Sequence, residues 1–145
     1  MSLIDLEVIP NEFEKYDSLL LLSFKYSDVN GDLGLTDKDT FGSFKYGEPN
    51  FHNLFCYWYC KQNGVWKRPL NPFLNPIDTL NFNERLPYLT PTGKNKKLEG
   101  EIILRVPARP LGLKFDTVKL KVWMLDRALN KSNVIETKEF YIKHP

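Results

Sequence analysis

The chain has 145 residues, the size of a single domain with its own core, and its 42% hydrophobic and 26% charged residues make a globular composition, not a disordered one. A net charge of +2 is too small for a nucleic-acid footprint, and no apolar run approaches the roughly 18 residues of a membrane-spanning helix. Ten Phe, seven Tyr, ten Pro and eight Gly favour short strands joined by turns.

Met1, Ser2 and Leu3 run straight into Asp5 and Glu7, without the apolar core of a signal peptide. Residues 3–9 alternate as a first strand that stops at Pro10, and 11–17 form a polar turn. Residues 18–26 are the strongest buried strand, with Leu20, Leu22, Phe24 and Tyr26 on one face. A long acidic, glycine-containing stretch covers 27–50. Residues 54–61 and 65–68 are aromatic-rich runs joined through Asn63-Gly64, a dipeptide that tolerates the positive φ of a two-residue hairpin. From 69 to 91 five prolines interrupt any ladder, which predicts a loop with one short edge strand. Residues 101–106 alternate Ile102, Leu104 and Val106 against Glu101 and Arg105. Residues 117–125 alternate Val118, Leu120, Val122 and Met124 against Lys119, Lys121 and Trp123. Residues 134–142 close the chain as a final strand. The pattern predicts one all-β domain over 1–145, an immunoglobulin-like or fibronectin-III-like sandwich of two antiparallel sheets with about seven strands.

Two acidic loops carry the candidate chemistry. Asp28, Asn30 and Asp32 place oxygen side chains at alternate positions of a glycine-containing loop, which is what a hard cation such as Ca²⁺ requires. The EF-hand pattern itself fails: its sixth position is Leu33, its twelfth is Asp39, and no helices flank it. In a sandwich of this kind the loop after the second strand and the loop before the last strand share one end. Asp126, Asn130 and Asn133 are therefore expected to face Asp28, Asn30 and Asp32. Carboxylates gathered this way repel one another unless a cation lies among them. The competing reading is that Asn and Asp side chains cap their own turns in both loops.

His52, Cys56 and Cys60 recur every fourth residue, but Phe55, Tyr57, Trp58 and Tyr59 between them favour a strand. Four residues of strand span about 13 Å, too far for a shared metal or a disulfide. Both thiols are read as small buried hydrophobes. The other histidine is His144, no phosphate-cradling glycine loop or HExxH is present, and Asp37 and Asp39 have no mark of acid/base tuning. The chain is read as non-enzymatic. Lys94, Lys96 and Lys97 beside Gly93 form a solvated turn. Tyr57, Tyr59, Trp66 and Trp123 are candidates for an outward aromatic platform, or lie half covered by the proline-rich loop.

Several segments resemble one family. Phe24-Lys25-Tyr26-Ser27-Asp28 followed by Asn30-Gly31-Asp32-Leu33-Gly34 is similar to the DGDGDLG-type signature of small bacterial cell-envelope lipoproteins with an immunoglobulin-like domain. Asn63-Gly64-Val65-Trp66, Arg85-Leu86-Pro87, Leu89-Thr90-Pro91, Glu99-Gly100-Glu101-Ile102 and Asp126-Arg127 to Ser132-Asn133 with Thr137 extend the resemblance along the chain. It implies a lipid anchor on an upstream Cys, a role that neither Cys56 nor Cys60 fits, and a place at the outer membrane or in the periplasm. The expected function is then a non-catalytic interaction or accessory subunit, with protein partners at the envelope and a calcium-stabilised loop end. The alternative is a carbohydrate-binding module that reads glycan through exposed Trp and Tyr.

Overall fold

The computed structural model describes residues 2–10, 17–28, 32–88, 98–110 and 116–143. Residues 11–16 of the turn expected at 11–17, Asn30, the Leu89-Thr90-Pro91 segment, the Lys94, Lys96 and Lys97 run and His144 lie outside the described residues, and Asp17 opens the second strand instead of closing that turn. Strands β1 (Ser2–Pro10), β2 (Asp17–Asp28) and β7 (Leu98–Pro107) form one antiparallel sheet in the order β1-β2-β7. β3 (Leu54–Gln62), β4 (Val65–Lys67), β8 (Thr117–Met124), β9 (Ile135–Glu136) and β10 (Phe140–Tyr141) form a second, in the order β10-β8-β3-β4 with β9 also on β8. β5 (Leu70–Asn71) and β6 (Asp78–Thr79) make a separate two-stranded ribbon. The segments expected as strands at 3–9, 18–26, 54–61, 65–68, 101–106 and 117–125 lie in β1, β2, β3, β4, β7 and β8, and the β5–β6 ribbon stands where a loop with one short edge strand was expected.

The two large sheets share one core. Alternation along β2 sends Leu20, Leu22 and Phe24 inward to full burial. β7 adds Leu104 and Val106, and Ile102 packs against them half-buried. From the other sheet come Leu54, Cys56 and Trp58 of β3, then Val118, Leu120, Val122 and Met124 of β8. The all-β, sandwich-like layering follows from this: each sheet is apolar on one face, and only face-to-face packing removes both faces from water.

The hairpin forms where Asn-Gly predicted it. Gln62 pairs with Val65, and Asn63 and Gly64 take φ of 50° and 77° between them, the left-handed values of a turn whose twist matches its strands. The closing strand differs from expectation: 134–142 is broken into β9 and β10. Thr137 sits at the break, buried, and its hydroxyl accepts the Leu120 N–H at 3.0 Å while its own N–H reaches the Leu120 carbonyl at 3.0 Å. A side-chain oxygen thus replaces a backbone carbonyl in the ladder, which interrupts the regular pairing.

Trp58 is the largest fully buried side chain, and its indole N–H is buried without a hydrogen-bond partner among the described residues. Trp58→Ala should therefore cost about 3–5 kcal/mol by urea denaturation, from lost burial and the cavity left behind. Trp58→Phe, which gives up no hydrogen bond, should cost less than half of that.

Candidate functional site

The loop that leaves β2 and the loop that follows β8 meet at one end of the molecule. Leu33 is buried in the core, and Gly34 at φ 96° lies so close to the 86–88 backbone that a Cβ there would sit 2.0 Å from the Pro87 carbonyl oxygen. Leu35 then bridges in parallel to Pro87: its N–H reaches the Leu86 carbonyl at 3.0 Å, and its carbonyl accepts the Tyr88 N–H at 3.0 Å. From the other loop the Arg127 N–H donates to the Asp32 carbonyl at 3.0 Å. This backbone bond joins the two acidic segments directly.

The side chains there serve their own turns. The Asp32 N–H donates to Asp28 Oδ2 at 3.0 Å. Asp126 accepts the Asn130 N–H at 2.8 Å on Oδ1 and the Asn130 amide nitrogen at 2.9 Å on Oδ2. Asn133 is exposed, and its carbonyl accepts the Ser132 hydroxyl at 2.9 Å. A cavity of about 150 Å³ opens between Asp28, Asp126, Asn130 and Ser132. Asp32 Oδ1 is buried with no hydrogen-bond partner among the described residues. Its carboxyl is pushed above the usual range by burial first, then by the charges of Asp126 and Asp28. The predicted donors Asp28, Asp32, Asp126 and Asn130 are thus neighbours, and Asn30 lies outside the described residues. Among the described residues, no three His, Cys, Asp or Glu side chains are grouped so as to hold a metal.

The strongest polar cluster is one that sequence reasoning missed. Asp39, read as an unmarked carboxylate, is buried, and Oδ2 accepts the Thr36 N–H at 2.6 Å and the Thr36 hydroxyl at 2.9 Å. Arg127 closes on it with two bonds, Nη1 to Oδ2 at 2.6 Å and Nη2 to Oδ1 at 2.9 Å. The Thr36 N–H, more than the Arg127 charge, holds the Asp39 carboxyl below the usual range against the opposing effect of burial. Arg85 serves the same loop from the proline-rich side. Its Nη1 donates to the carbonyl of Phe51 at 2.7 Å and its Nη2 to that of Asp39 at 2.7 Å, with longer bonds to Phe44 and Thr36. Its guanidinium also lies 4.8 Å from the Phe51 ring. Buried Asn53 adds a reciprocal pair with the Leu86 backbone, accepting its N–H at 2.6 Å and donating to its carbonyl at 3.1 Å.

The Arg85 cage therefore orders residues 36–51, which hold only the short 3-10 turn Gly42–Phe44. Against this fixed backbone Phe41 and Tyr46 project outward, 66% and 83% exposed. Phe41 meets the Phe44 ring edge-on at 6.0 Å, and Tyr46 meets Phe51 edge-on at 5.2 Å. His52 packs edge-on against Phe51 at 5.1 Å, and burial lowers its pKa. The thiols are chemically quiet: burial pushes Cys56 up to about 12 and raises Cys60 as well, so both stay protonated at neutral pH.

On the outer face of the second sheet, aromatic rings alternate with cations. Trp123 stacks on Phe55 at 5.5 Å and meets Tyr57 edge-on at 4.3 Å. Arg68 lies 3.6 Å from the Tyr57 ring, Lys119 4.5 Å from Trp66 and Lys131 4.6 Å from Trp123. Arg68 is held in place by the Thr79 hydroxyl and the Asn81 amide oxygen, so the proline-rich segment does cover this face in part.

Asp39→Asn should cost about 2 kcal/mol at pH 7 by denaturant titration, the worth of a charge-assisted hydrogen bond. Because the folded-state pKa of Asp39 is lowered, its stabilisation is complete above the unfolded value near 3.9 and is lost as pH falls through the folded value. The stability gap between wild type and Asp39→Asn should therefore hold from neutral pH down to about 4 and close only below it.

No protein-family model, curated protein or solved structure matches the chain.

Proposed function

We propose that this domain is a non-catalytic interaction module with an immunoglobulin-like, fibronectin-III-like fold, displayed by a lipid anchor at the bacterial outer membrane or in the periplasm. The strand order β1-β2-β7 against β10-β8-β3-β4 supports the fold, because it matches a sandwich whose fourth strand joins the third, sixth and seventh. The resemblance of the 24–34 and 126–133 segments to envelope lipoproteins supports the location.

One observation carries the functional reading: the Arg85 cage fixes the loop that presents Phe41 and Tyr46. Exposed aromatics on a preordered backbone bind a partner without first losing loop entropy, and Tyr is enriched among the residues that dominate interface energies. The glycan reading has aromatic residues but lacks free ring faces, since Arg68, Lys119 and Lys131 cap them. In a pull-down of the anchored full-length protein from its native envelope, Phe41→Ala/Tyr46→Ala should lose the captured protein at an unchanged melting temperature. Recovery of the same proteins with wild type and variant would overturn the reading.

Calcium belongs to the same proposal. The donors Asp28, Asp32 and Asp126, with Asn30, Asn130 and Asn133, are all oxygen, the set that suits Ca²⁺. Burial first, and then the Asp126 and Asp28 charges, oppose the Asp32 carboxylate, and a cation there would offset both. Calcium at a hundredfold excess over Kd should add about 2.7 kcal/mol, a rise of roughly 5 to 10 °C in melting temperature. In chelator, Asp32→Asn should melt above wild type at pH 7. A raised folded-state pKa means that the ionised carboxylate costs stability at neutral pH, and this cost fades as pH falls through the folded value. Identical wild-type melts in calcium and in chelator would reduce both loops to polar turns.

A further inference from the structure

The β5–β6 ribbon concentrates bulky apolar side chains on the outside of the molecule. Leu70, Phe73, Leu74 and Ile77 are 59%, 79%, 44% and 62% exposed. β5 and β6 pair with each other and with neither large sheet, and every residue from 72 to 77 is exposed, so the turn protrudes. An exposed apolar group of this density marks a contact surface.

The tip is also suited to a medium without water. No residue from 69 to 77 carries a charge. The Phe73 N–H is satisfied by Asn71 Oδ1 at 3.0 Å and the Leu74 N–H by the Asn71 carbonyl at 3.4 Å, while Pro69, Pro72 and Pro76 have no N–H to satisfy. An amide that enters hydrocarbon without an acceptor is strongly disfavoured, and this turn removes much of that penalty internally.

The base of the ribbon carries the opposite chemistry. Arg68 is bonded to Thr79 of β6 and lies over Tyr57, and Lys121 and Lys119 continue the row over Tyr59 and Trp66 at 5.0 and 4.5 Å. Lys61 lies 5.7 Å from the Trp66 ring, and exposed Lys131 lies 4.6 Å from the Trp123 ring on the same face. These five cations face three carboxylates, Asp78 at the ribbon and Glu136 and Glu139, which pair with lysines of the row.

We propose that the ribbon tip inserts into the surface of an anionic lipid bilayer, with Trp66, Tyr59 and the adjoining cations at headgroup level. A groove on another protein would accept the apolar tip but gives no reason for the neighbouring excess of cations over aromatic rings. An anionic headgroup layer above hydrocarbon matches both halves, as in other proteins that lie in membrane interfaces. This contact is independent of any lipid anchor and of the Phe41–Tyr46 loop.

The test is co-sedimentation of the 145-residue chain with phosphatidylcholine vesicles, with and without about one third phosphatidylglycerol. The chain should sediment with the anionic vesicles, more weakly with the neutral ones, and less in about 0.5 M salt. Phe73→Ser/Ile77→Ser should weaken binding by about tenfold or more, and Lys131→Glu by about threefold, both at an unchanged melting temperature. Equal binding of wild type and the double variant would overturn the insertion, and equal binding to neutral and anionic vesicles would overturn the role of the cations. No sedimentation, with the double variant instead losing a protein from an envelope pull-down, would assign the tip to a protein groove.

Discussion

Seven residues of β3 lie in register against seven of β8, from Leu54 opposite Met124 to Cys60 opposite Val118. Side chains alternate along a strand, so this one register sorts both strands at once. The even positions of both strands face inward, and Cys56, Trp58, Leu120 and Val122 reach complete burial. The odd positions of β3 and β8 face outward and create the layer of Phe55, Tyr57, Tyr59, Lys119, Lys121 and Trp123. A slip by one residue would exchange an apolar face for a cationic one, which makes the register strongly specified. The same pairing places the loops: the Leu125 N–H donates to the Asn53 carbonyl at 2.9 Å, so the chain entering β3 and the chain leaving β8 begin their excursions side by side.

What those excursions do depends on polar groups rather than on ladders. Residues 36–51 have little regular structure to satisfy their carbonyls, and a single planar donor, Arg85, collects four of them. A guanidinium is suited to this because its forked N–H groups point in fixed directions and stay charged. Asp39 and Arg127 tie the opposite side of the loop to the segment after β8. The long loop is therefore a built surface, with the order a recognition surface needs if it is not to lose binding energy to its own flexibility.

How much of this was legible varies with the range of the interaction. The Asn63-Gly64 turn and the inward sets of β2 and β8 depend on a residue and its near neighbours, and their two-residue period is written in the sequence. The broken final strand was not legible. Thr137 looks like an ordinary strand residue until its hydroxyl is placed opposite the Leu120 N–H. Of the Leu70–Asn71 and Asp78–Thr79 ribbon only one short edge strand in a loop was legible, because two-residue strands leave no period to detect. The Arg85 cage joins residues 34 to 49 positions apart, and the Asp39–Arg127 pair joins residues 88 apart. No spacing rule relates such partners, so a carboxylate in a run of aspartates gave no sign of being the buried one.

Asp32 and Asp39 show what decides between them. Both stand in one acidic stretch, seven residues apart, with the same intrinsic acidity. Asp39 meets two donors from Thr36 and two from Arg127, and its charge is held. Asp32 meets burial and two other carboxylates, while its own N–H is spent on Asp28, and its charge is opposed. Acid therefore acts in opposite directions on the two: protonation removes a stabilising group at Asp39 and relieves a destabilising one at Asp32. The two residues share a physical link, because Arg127 grips Asp39 with its side chain and the Asp32 carbonyl with its N–H. The strong pair at Asp39 thereby holds in place the backbone that keeps Asp32 near Asp126. The opposed charge at Asp32 is not an accident of a loose turn, since the Arg127 side chain on Asp39 and the Arg127 N–H on the Asp32 carbonyl both join the two loops.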